Sequence, residues 1–219
     1  MLPDYRFTRF RFYAPAGVAN VRVEGENVIG KWAASWHRYY GERGATLAER
    51  FANWGRKHER ILEFTKRHGP LTHSPYHQPL EFSFSLESWT RNQWEFRKLW
   101  ASMQQGRIGR TQQLEVGLVE IRNGWLHFGC GSLWDFMTIE LLRKPEKLRF
   151  CKRADCDHRY FTAQHGKEQY CSTDCANWAQ SKWKKQWHET QRQKRLMKEK
   201  GGKAWHSSNA VKRGTATSS

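Results

Sequence analysis

The 219-residue sequence lacks the features that mark secreted and membrane proteins. No stretch approaches the roughly 18 consecutive apolar residues that a membrane-spanning helix needs. Residues 1–7 do not show the basic and then apolar run of a secretory signal peptide. Acidic residues are also scarce, since 21 Asp and Glu face 38 Lys and Arg, which leaves a formal net charge of +17. We therefore expect a soluble, cytoplasmic protein whose partner is a polyanion such as nucleic acid.

Aromatic residues compensate for a low overall hydrophobicity. The hydrophobic fraction is only 38%, but twelve Trp and twelve Phe supply a large apolar area for each residue buried. A chain with this aromatic content can form a core, which argues against a wholly disordered protein. The length allows one or two domains.

Four of the five cysteines fall within one short segment and form two close pairs. They follow the pattern C-x4-C-x14-C-x3-C and are Cys151, Cys156, Cys171 and Cys175. Short spacers let two thiolates reach one metal ion, and the long spacer lets the chain fold back with the second pair, so the pattern predicts a structural zinc site. Two alternatives are a pair of disulfides, and replacement of one cysteine ligand by His158 or His165.

The remaining cysteine and a histidine-containing loop do not suggest a second site. Cys130 lies between glycines with no histidine nearby, which favours a packed thiol over a nucleophile. His68, His73 and His77 are irregularly spaced among prolines, which favours incidental surface residues over metal ligands.

Hydrophobic periodicity and turn residues predict an α+β fold for residues 1–145. An edge strand is expected at residues 10–12, and hairpins at residues 18–29 and at 114–128 around Asn123-Gly124. Helices are expected over residues 46–68, over residues 85–106, and from Ser132 to Lys144, each with a Ser or Thr cap. A small-molecule effector of this domain is a hypothesis motivated by its aromatic content.

The cysteine segment resembles the C-terminal module of the CGNR zinc-finger family. The residues that carry the resemblance are Leu148-Arg149-Phe150-Cys151, Asp155-Cys156-Asp157-His158-Arg159-Tyr160-Phe161 and Gln169-Tyr170-Cys171-Ser172-Thr173-Asp174-Cys175-Ala176-Asn177-Trp178. Ala176 and Trp178 stand where the name motif has glycine and arginine, and Asn177 keeps its asparagine. Membership would imply a bacterial transcription regulator with a helix-rich N-terminal domain and a DNA-binding finger.

Residues 146–200 are predicted to form a zinc module of the treble-clef kind, and residues 201–219 a disordered basic tail. A long helix is expected to begin near Cys171, with Cys175 in its first turn. Four thiolates leave the metal no open position, so we expect no catalytic zinc and no enzyme activity. From Cys151 onward, 15 Lys and Arg face 6 Asp and Glu, a net charge of +9.

This charge predicts binding to the phosphates of DNA, in preference to RNA, with base contacts from the start of the long helix. The predicted nucleic-acid contacts are Lys152, Arg153, Arg159, Lys167, Asn177, Trp178, Gln180, Ser181, Lys182, Lys184 and Lys185. Three alternatives stay open: a solvated helix face, an RNA-binding protein, and a protein- or ligand-binding module in which the zinc finger is only a structural staple. A nuclease of the His-Asn-His type would need a second histidine to accompany His165 and Asn177.

Overall fold

A computed structural model describes residues 9–15, 17–32, 37–39, 46–72, 81–107, 114–122 and 125–212. This part of the chain contains nine strands and five α-helices, so the predicted mixture of α and β structure is confirmed. In chain order the elements are β1 Arg9–Pro15, β2 Val18–Glu24, β3 Asn27–Trp32, β4 His37–Tyr39, α1 Leu47–Asn53, α2 His58–His68, β5 Glu81–Ser85, α3 Leu86–Gln104, β6 Val116–Arg122, β7 Trp125–Cys130, α4 Leu133–Arg143, β8 Leu148–Phe150, β9 Tyr160–Thr162 and α5 Thr173–Lys212.

The strands form three small sheets, with orders β4-β1-β7-β6, β2-β3-β5 and β8-β9. Both predicted hairpins are confirmed, because β2 pairs antiparallel with β3, and β6 with β7. The β2–β3 turn contains Gly25 at φ +60°, a conformation that glycine adopts without strain. The strand predicted at residues 10–12 is present as part of β1, where these residues pair with the parallel strand β7, while β4 pairs with residues 13–15 at the other end of β1.

Helices α3 and α4 begin where the sequence predicts, at the caps Ser85 and Ser132. The single helix predicted over residues 46–68 is wrong: it divides into α1 and α2. Thr46 caps α1 as expected, since its hydroxyl accepts from the Glu49 amide at 3.1 Å. The break is stabilised by Gln93 of α3, whose buried amide donates to the carbonyls of Phe51 and Trp54 at the end of α1. These carbonyls would otherwise be unpaired at a helix end.

Aromatic side chains from the helices build the centre of the core. The rings of Phe64, Trp89 and Phe96 surround Phe51, with centroids 5.2–5.5 Å from its own. Each of these four side chains is at most 1% exposed. Tilted and edge-on arrangements at these distances are the favoured geometries for aromatic pairs.

The β8–β9 hairpin packs against this helical core. Leu148 is 2% exposed and belongs to the same hydrophobic cluster as the helix residues. The Asn53 side chain at the end of α1 donates to the Tyr160 carbonyl at 2.6 Å and accepts from the Tyr160 amide at 3.0 Å. The Glu49 carboxylate accepts from the Thr162 amide at 3.1 Å. Side chains of α1 thus replace the missing hydrogen-bond partners at the open edge of β9.

The chain divides into two compact units, residues 1–171 and residues 172–219. This division differs from the boundary at residue 145 expected from the sequence, because β8 and β9 share the core of the first unit. The second unit contains α5, which extends through Lys212 into the segment that the sequence predicts to be disordered. Residues 213–219 lie outside the described residues. No helix in the described ranges is long and apolar enough to cross a membrane.

Asn53→Ala should destabilise the first unit by about 2–3 kcal/mol, because it leaves both backbone groups of Tyr160 without their partner. Urea unfolding followed by tryptophan fluorescence measures this change. Asn53→Asp is the matched control, because it keeps an oxygen acceptor for the Tyr160 amide but removes the donor to the Tyr160 carbonyl. Its free energy of unfolding should fall by less than that of the alanine variant. An alanine variant within about 0.5 kcal/mol of the wild type would show that these hydrogen bonds contribute nothing.

Glu140 of α4 should make stability depend on pH, because its carboxyl group is removed from water while it accepts from the Ala48 amide at 2.8 Å. Burial raises the pKa of Glu140 from 4.5 to about 7. Its contribution to stability is therefore complete below the unfolded pKa and is lost as the pH rises through the folded pKa, a loss of about 3 kcal/mol.

Glu140→Gln removes this titration and keeps an oxygen acceptor for Ala48. The wild type should lose stability relative to the variant between about pH 5 and pH 8, as measured by urea unfolding at each pH. Parallel stability curves for the two proteins would contradict the assignment.

Candidate metal centre

The four cysteines predicted as zinc ligands come together in one cluster. The sulfur atoms of Cys151, Cys156, Cys171 and Cys175 all lie within 4.8 Å of one another. All five cysteines of the chain are among the described residues and are free thiols, so the alternative of two disulfides is wrong. Tetrahedral zinc with sulfur at about 2.3 Å requires sulfur atoms about 3.8 Å apart, which a cluster within 4.8 Å accommodates. The geometry of the cluster therefore fits a four-thiolate metal site.

Backbone hydrogen bonds shape the first pair. The Cys151 amide donates to the Arg159 carbonyl at 2.7 Å, which closes the end of the β8–β9 hairpin. The Cys156 amide donates to the Arg153 carbonyl at 3.3 Å, so a tight turn returns the second cysteine toward the first. Because the hairpin is fixed to α1, this half of the site is held by the core of the first unit.

The second pair flanks the start of α5, as the sequence predicts. Cys171 precedes the helix, and Cys175 lies in its first turn. The Ser172 hydroxyl accepts from the Cys175 amide at 3.3 Å, and the Ser172 carbonyl accepts from the Ala176 amide at 3.1 Å. A capped first turn keeps Cys175 close to Cys171, and the amides of a helix N-terminus stabilise nearby negative charge.

The four cysteines of the cluster differ in their exposure to solvent. Cys151 and Cys175 are each 5% exposed, whereas Cys156 and Cys171 are partly exposed, with their sulfur atoms 3.4 Å apart. Phe161 is 4% exposed and Tyr160 is half-buried. A metal ion here would be shielded on one side and reachable through Cys156 and Cys171 on the other.

The other candidate ligands do not join the cluster. His158 and His165 are exposed, and the only members of the cluster found among the described residues are the four cysteines. Cys130 is buried, and this burial, together with the charges of Asp135 and Glu140, raises the pKa of its thiol to about 12. A thiol that stays protonated is neither a nucleophile nor a metal ligand.

The histidine loop is only partly described. His68, predicted as a surface residue, is 5% exposed and packs against the Phe64 ring with centroids 4.8 Å apart. That prediction is therefore wrong for His68. His73 and His77 lie outside the described residues.

Basic side chains lie within and after the knuckle, which is the turn at residues 151–156 that carries the first cysteine pair. Lys152, Arg159 and Lys167 are exposed, so their charges face solvent. Arg153 instead makes two hydrogen bonds of 3.1 Å to the carboxylate of Asp155. Its charge is already paired, which weakens its candidacy as a phosphate ligand.

The predicted nucleic-acid contacts on α5 are mostly exposed. Trp178 is half-buried, with the Lys182 ammonium 5.0 Å from its ring centroid, a favourable cation–π geometry. Trp183 and Trp187 are 61% and 48% exposed. The exposed members of the predicted set on this helix are Asn177, Gln180, Ser181, Lys182, Lys184 and Lys185.

Sequence reasoning missed the residues of the N-terminal helices that support the knuckle. Glu49 and Asn53 hydrogen-bond to β9 across more than a hundred residues of chain. The Arg97 guanidinium carbon of α3 lies 5.5 Å from the centroid of the Tyr160 ring. Side-chain capping of an edge strand has no sequence pattern of its own, so no signal pointed to these residues.

Cys171→Ser should abolish stoichiometric metal binding, whereas Cys130→Ala, the matched control, should retain about one ion per chain. Native mass spectrometry measures the stoichiometry. Chelation should also expose the Cys151, Lys152 and Cys156 amides to hydrogen exchange, while the α3 amides stay protected because their core does not contain the metal. Full occupancy in Cys171→Ser, or equal occupancy loss in Cys130→Ala, would contradict the assignment.

Comparison of the chain with protein-family models, with curated proteins and with solved structures found no significant match. The resemblance to the CGNR family stays a prediction from the motif around the cysteines.

Proposed function

We propose that the cluster binds Zn(II) as a structural ion and thereby fixes the start of α5. Four thiolates at tetrahedral spacing favour zinc among the common divalent ions. Because they complete its coordination, no position remains for water or substrate, and the proposed role is not enzymatic. The knuckle supplies two ligands and the helix start supplies two, which is the arrangement of a treble clef.

We further propose that α5 binds nucleic acid, with DNA the first candidate, and that the protein regulates transcription in the cytoplasm. The observation that carries this proposal is the charge and exposure of the helix. Ten Lys and Arg face three Asp and Glu within its 40 residues. Side chains at positions 180–198 are exposed except for Gln191. A surface of this kind attracts phosphates and releases their counterions.

The exposed tryptophans support the same proposal. Trp183 and Trp187 are one helical turn apart and lie among Lys182, Lys184 and Lys185. Large exposed apolar side chains mark interaction surfaces, and aromatic rings next to lysines suit the bases and phosphates of nucleic acid. A positively charged helix of this density would repel a second copy of itself.

Lys184→Gln combined with Lys185→Gln should weaken nucleic-acid binding, because the variant neutralises fewer phosphates. The affinity should fall by roughly eightfold for each phosphate that loses its lysine at about 0.1 M salt, and the slope of log K against log salt should fall by about 0.9 for each of these phosphates. Fluorescence anisotropy with a labelled DNA duplex, a single-stranded DNA and an RNA of the same sequence measures both quantities.

Lys66→Gln combined with Lys144→Gln is the matched control, since both lysines are exposed and belong to the first unit. It removes the same charge and should leave affinity and salt slope nearly unchanged. Equal effects of the two double variants would show non-specific attraction to net charge. Absence of binding by the zinc-loaded wild type would contradict the proposed function and favour a protein- or ligand-binding module.

A further inference from the structure

An open cavity of about 530 Å³ lies beside Cys156, and its lining belongs entirely to the unit formed by residues 1–171. This volume falls within the range of small-molecule sites. Arg97 and Arg159 contribute positive charge to its wall, and Phe150 and Tyr160 contribute aromatic surface.

Arg97 is a half-buried cation without an acidic partner among the described residues. Its Nε donates to the Ala52 carbonyl at 2.7 Å, which leaves both Nη groups without a hydrogen-bond partner in the described part of the chain. Burial, and then the charge of Arg56, lower the pKa of Arg97. A desolvated guanidinium without a counter-ion is costly, and an anionic ligand would remove that cost.

Arg159 adds a second guanidinium to the same cavity. Its side chain is exposed and makes no ion pair or hydrogen bond with the described residues. Two guanidinium groups on one cavity wall suit the oxygen atoms of phosphate, which arginine binds in a bidentate manner.

The aromatic wall is held rigidly in place. The Tyr160 backbone is bound by Asn53, and its ring packs edge-on against Trp100 and Phe150 with centroids 5.7 and 5.3 Å apart. Rigid aromatic surface next to paired arginines suits a ligand that joins a planar base to a phosphate.

We propose that this cavity binds a nucleoside phosphate, with the phosphate between Arg97 and Arg159 and the base against Phe150. The phosphate belongs either to a free mononucleotide or to a nucleic-acid strand. Asp157 also lines the cavity, and its negative charge lowers the affinity for an anion. This site does not depend on the nucleic-acid binding proposed for α5.

The test measures binding of AMP, inorganic phosphate and adenosine to the full-length, zinc-loaded protein by calorimetry. Arg97→Gln and Arg159→Gln should each weaken AMP binding by about tenfold. Arg91→Gln, an exposed residue on the same helix, removes the same charge and should bind as the wild type does. Arg97→Lys should retain part of the affinity, and Asp157→Asn should bind AMP a few times more tightly. Adenosine should bind far more weakly than AMP.

The same variants are compared with the wild type in binding a single-stranded oligonucleotide. Loss of oligonucleotide affinity in Arg97→Gln and Arg159→Gln, without any binding of AMP, would identify a strand phosphate as the ligand. If the arginine variants lose oligonucleotide affinity while the Lys184 and Lys185 double variant binds the oligonucleotide as the wild type does, the result would support the cavity site. It would also contradict the nucleic-acid binding proposed for α5.

Three results would overturn the proposal. One is that the wild type binds neither AMP nor phosphate, and the oligonucleotide affinity of both arginine variants equals that of Arg91→Gln. Another is that AMP binds equally to all variants. The third is that the arginine variants lose zinc, measured by native mass spectrometry, while nucleotide binding is unchanged. That result would mean that the arginines neutralise the thiolate charge next to Cys156.

Discussion

The hydrogen bonds between the Asn53 side chain and the Tyr160 backbone join the metal-ligand hairpin to the helical core. A two-stranded hairpin of three-residue strands is too small to be stable alone. Here one edge of β9 is completed by α1, and the Tyr160 ring packs on Trp100 of α3. The position of Cys151 and Cys156 therefore depends on residues that contain no metal ligand. The hairpin with the first cysteine pair is therefore part of the first unit and not a separate domain.

The basic side chains near the cysteine cluster differ in whether an acidic side chain pairs with them. Four thiolates around one divalent ion leave an excess of two negative charges. The cavity that includes Cys156 contains Arg97 and Arg159, while Arg153 is already paired with Asp155. Near the cluster, Arg153 is therefore paired with a carboxylate, whereas Arg97 and Arg159 have no acidic partner among the described residues. The strongly basic α5 adds an excess of seven positive charges, since ten Lys and Arg face three Asp and Glu within the helix.

Local patterns predicted much of this fold, and the reasons are visible in particular residues. Ser85, Ser132 and Thr46 cap helices as their sequences indicate, because a cap depends on a few neighbouring residues. The cysteine spacing predicted the cluster for the same reason. The break between α1 and α2 was missed because it is stabilised by Gln93, about forty residues away in the chain.

Contacts between residues far apart in the chain were not predicted, because they leave no local pattern in the sequence. The docking of the hairpin depends on Asn53 and Glu49, whose roles no local pattern reveals. The sequence also did not predict that Trp183 and Trp187 are exposed, because two tryptophans one helical turn apart have the same spacing whether they are buried or exposed.

The side chains that hydrogen-bond to the hairpin or pack on its Tyr160 ring come from α1 and α3, which precede it in the chain, and this has a consequence for biosynthesis. Helices α1 and α3 leave the ribosome well before Tyr160 does, and domains fold from the N-terminus as they are made. The docking surface for β9 can therefore exist before the hairpin is synthesised, whereas Cys175 emerges later still. If the cysteine cluster binds a metal ion, the ion is captured in one of the last steps of maturation, after the surface that holds the first cysteine pair has formed.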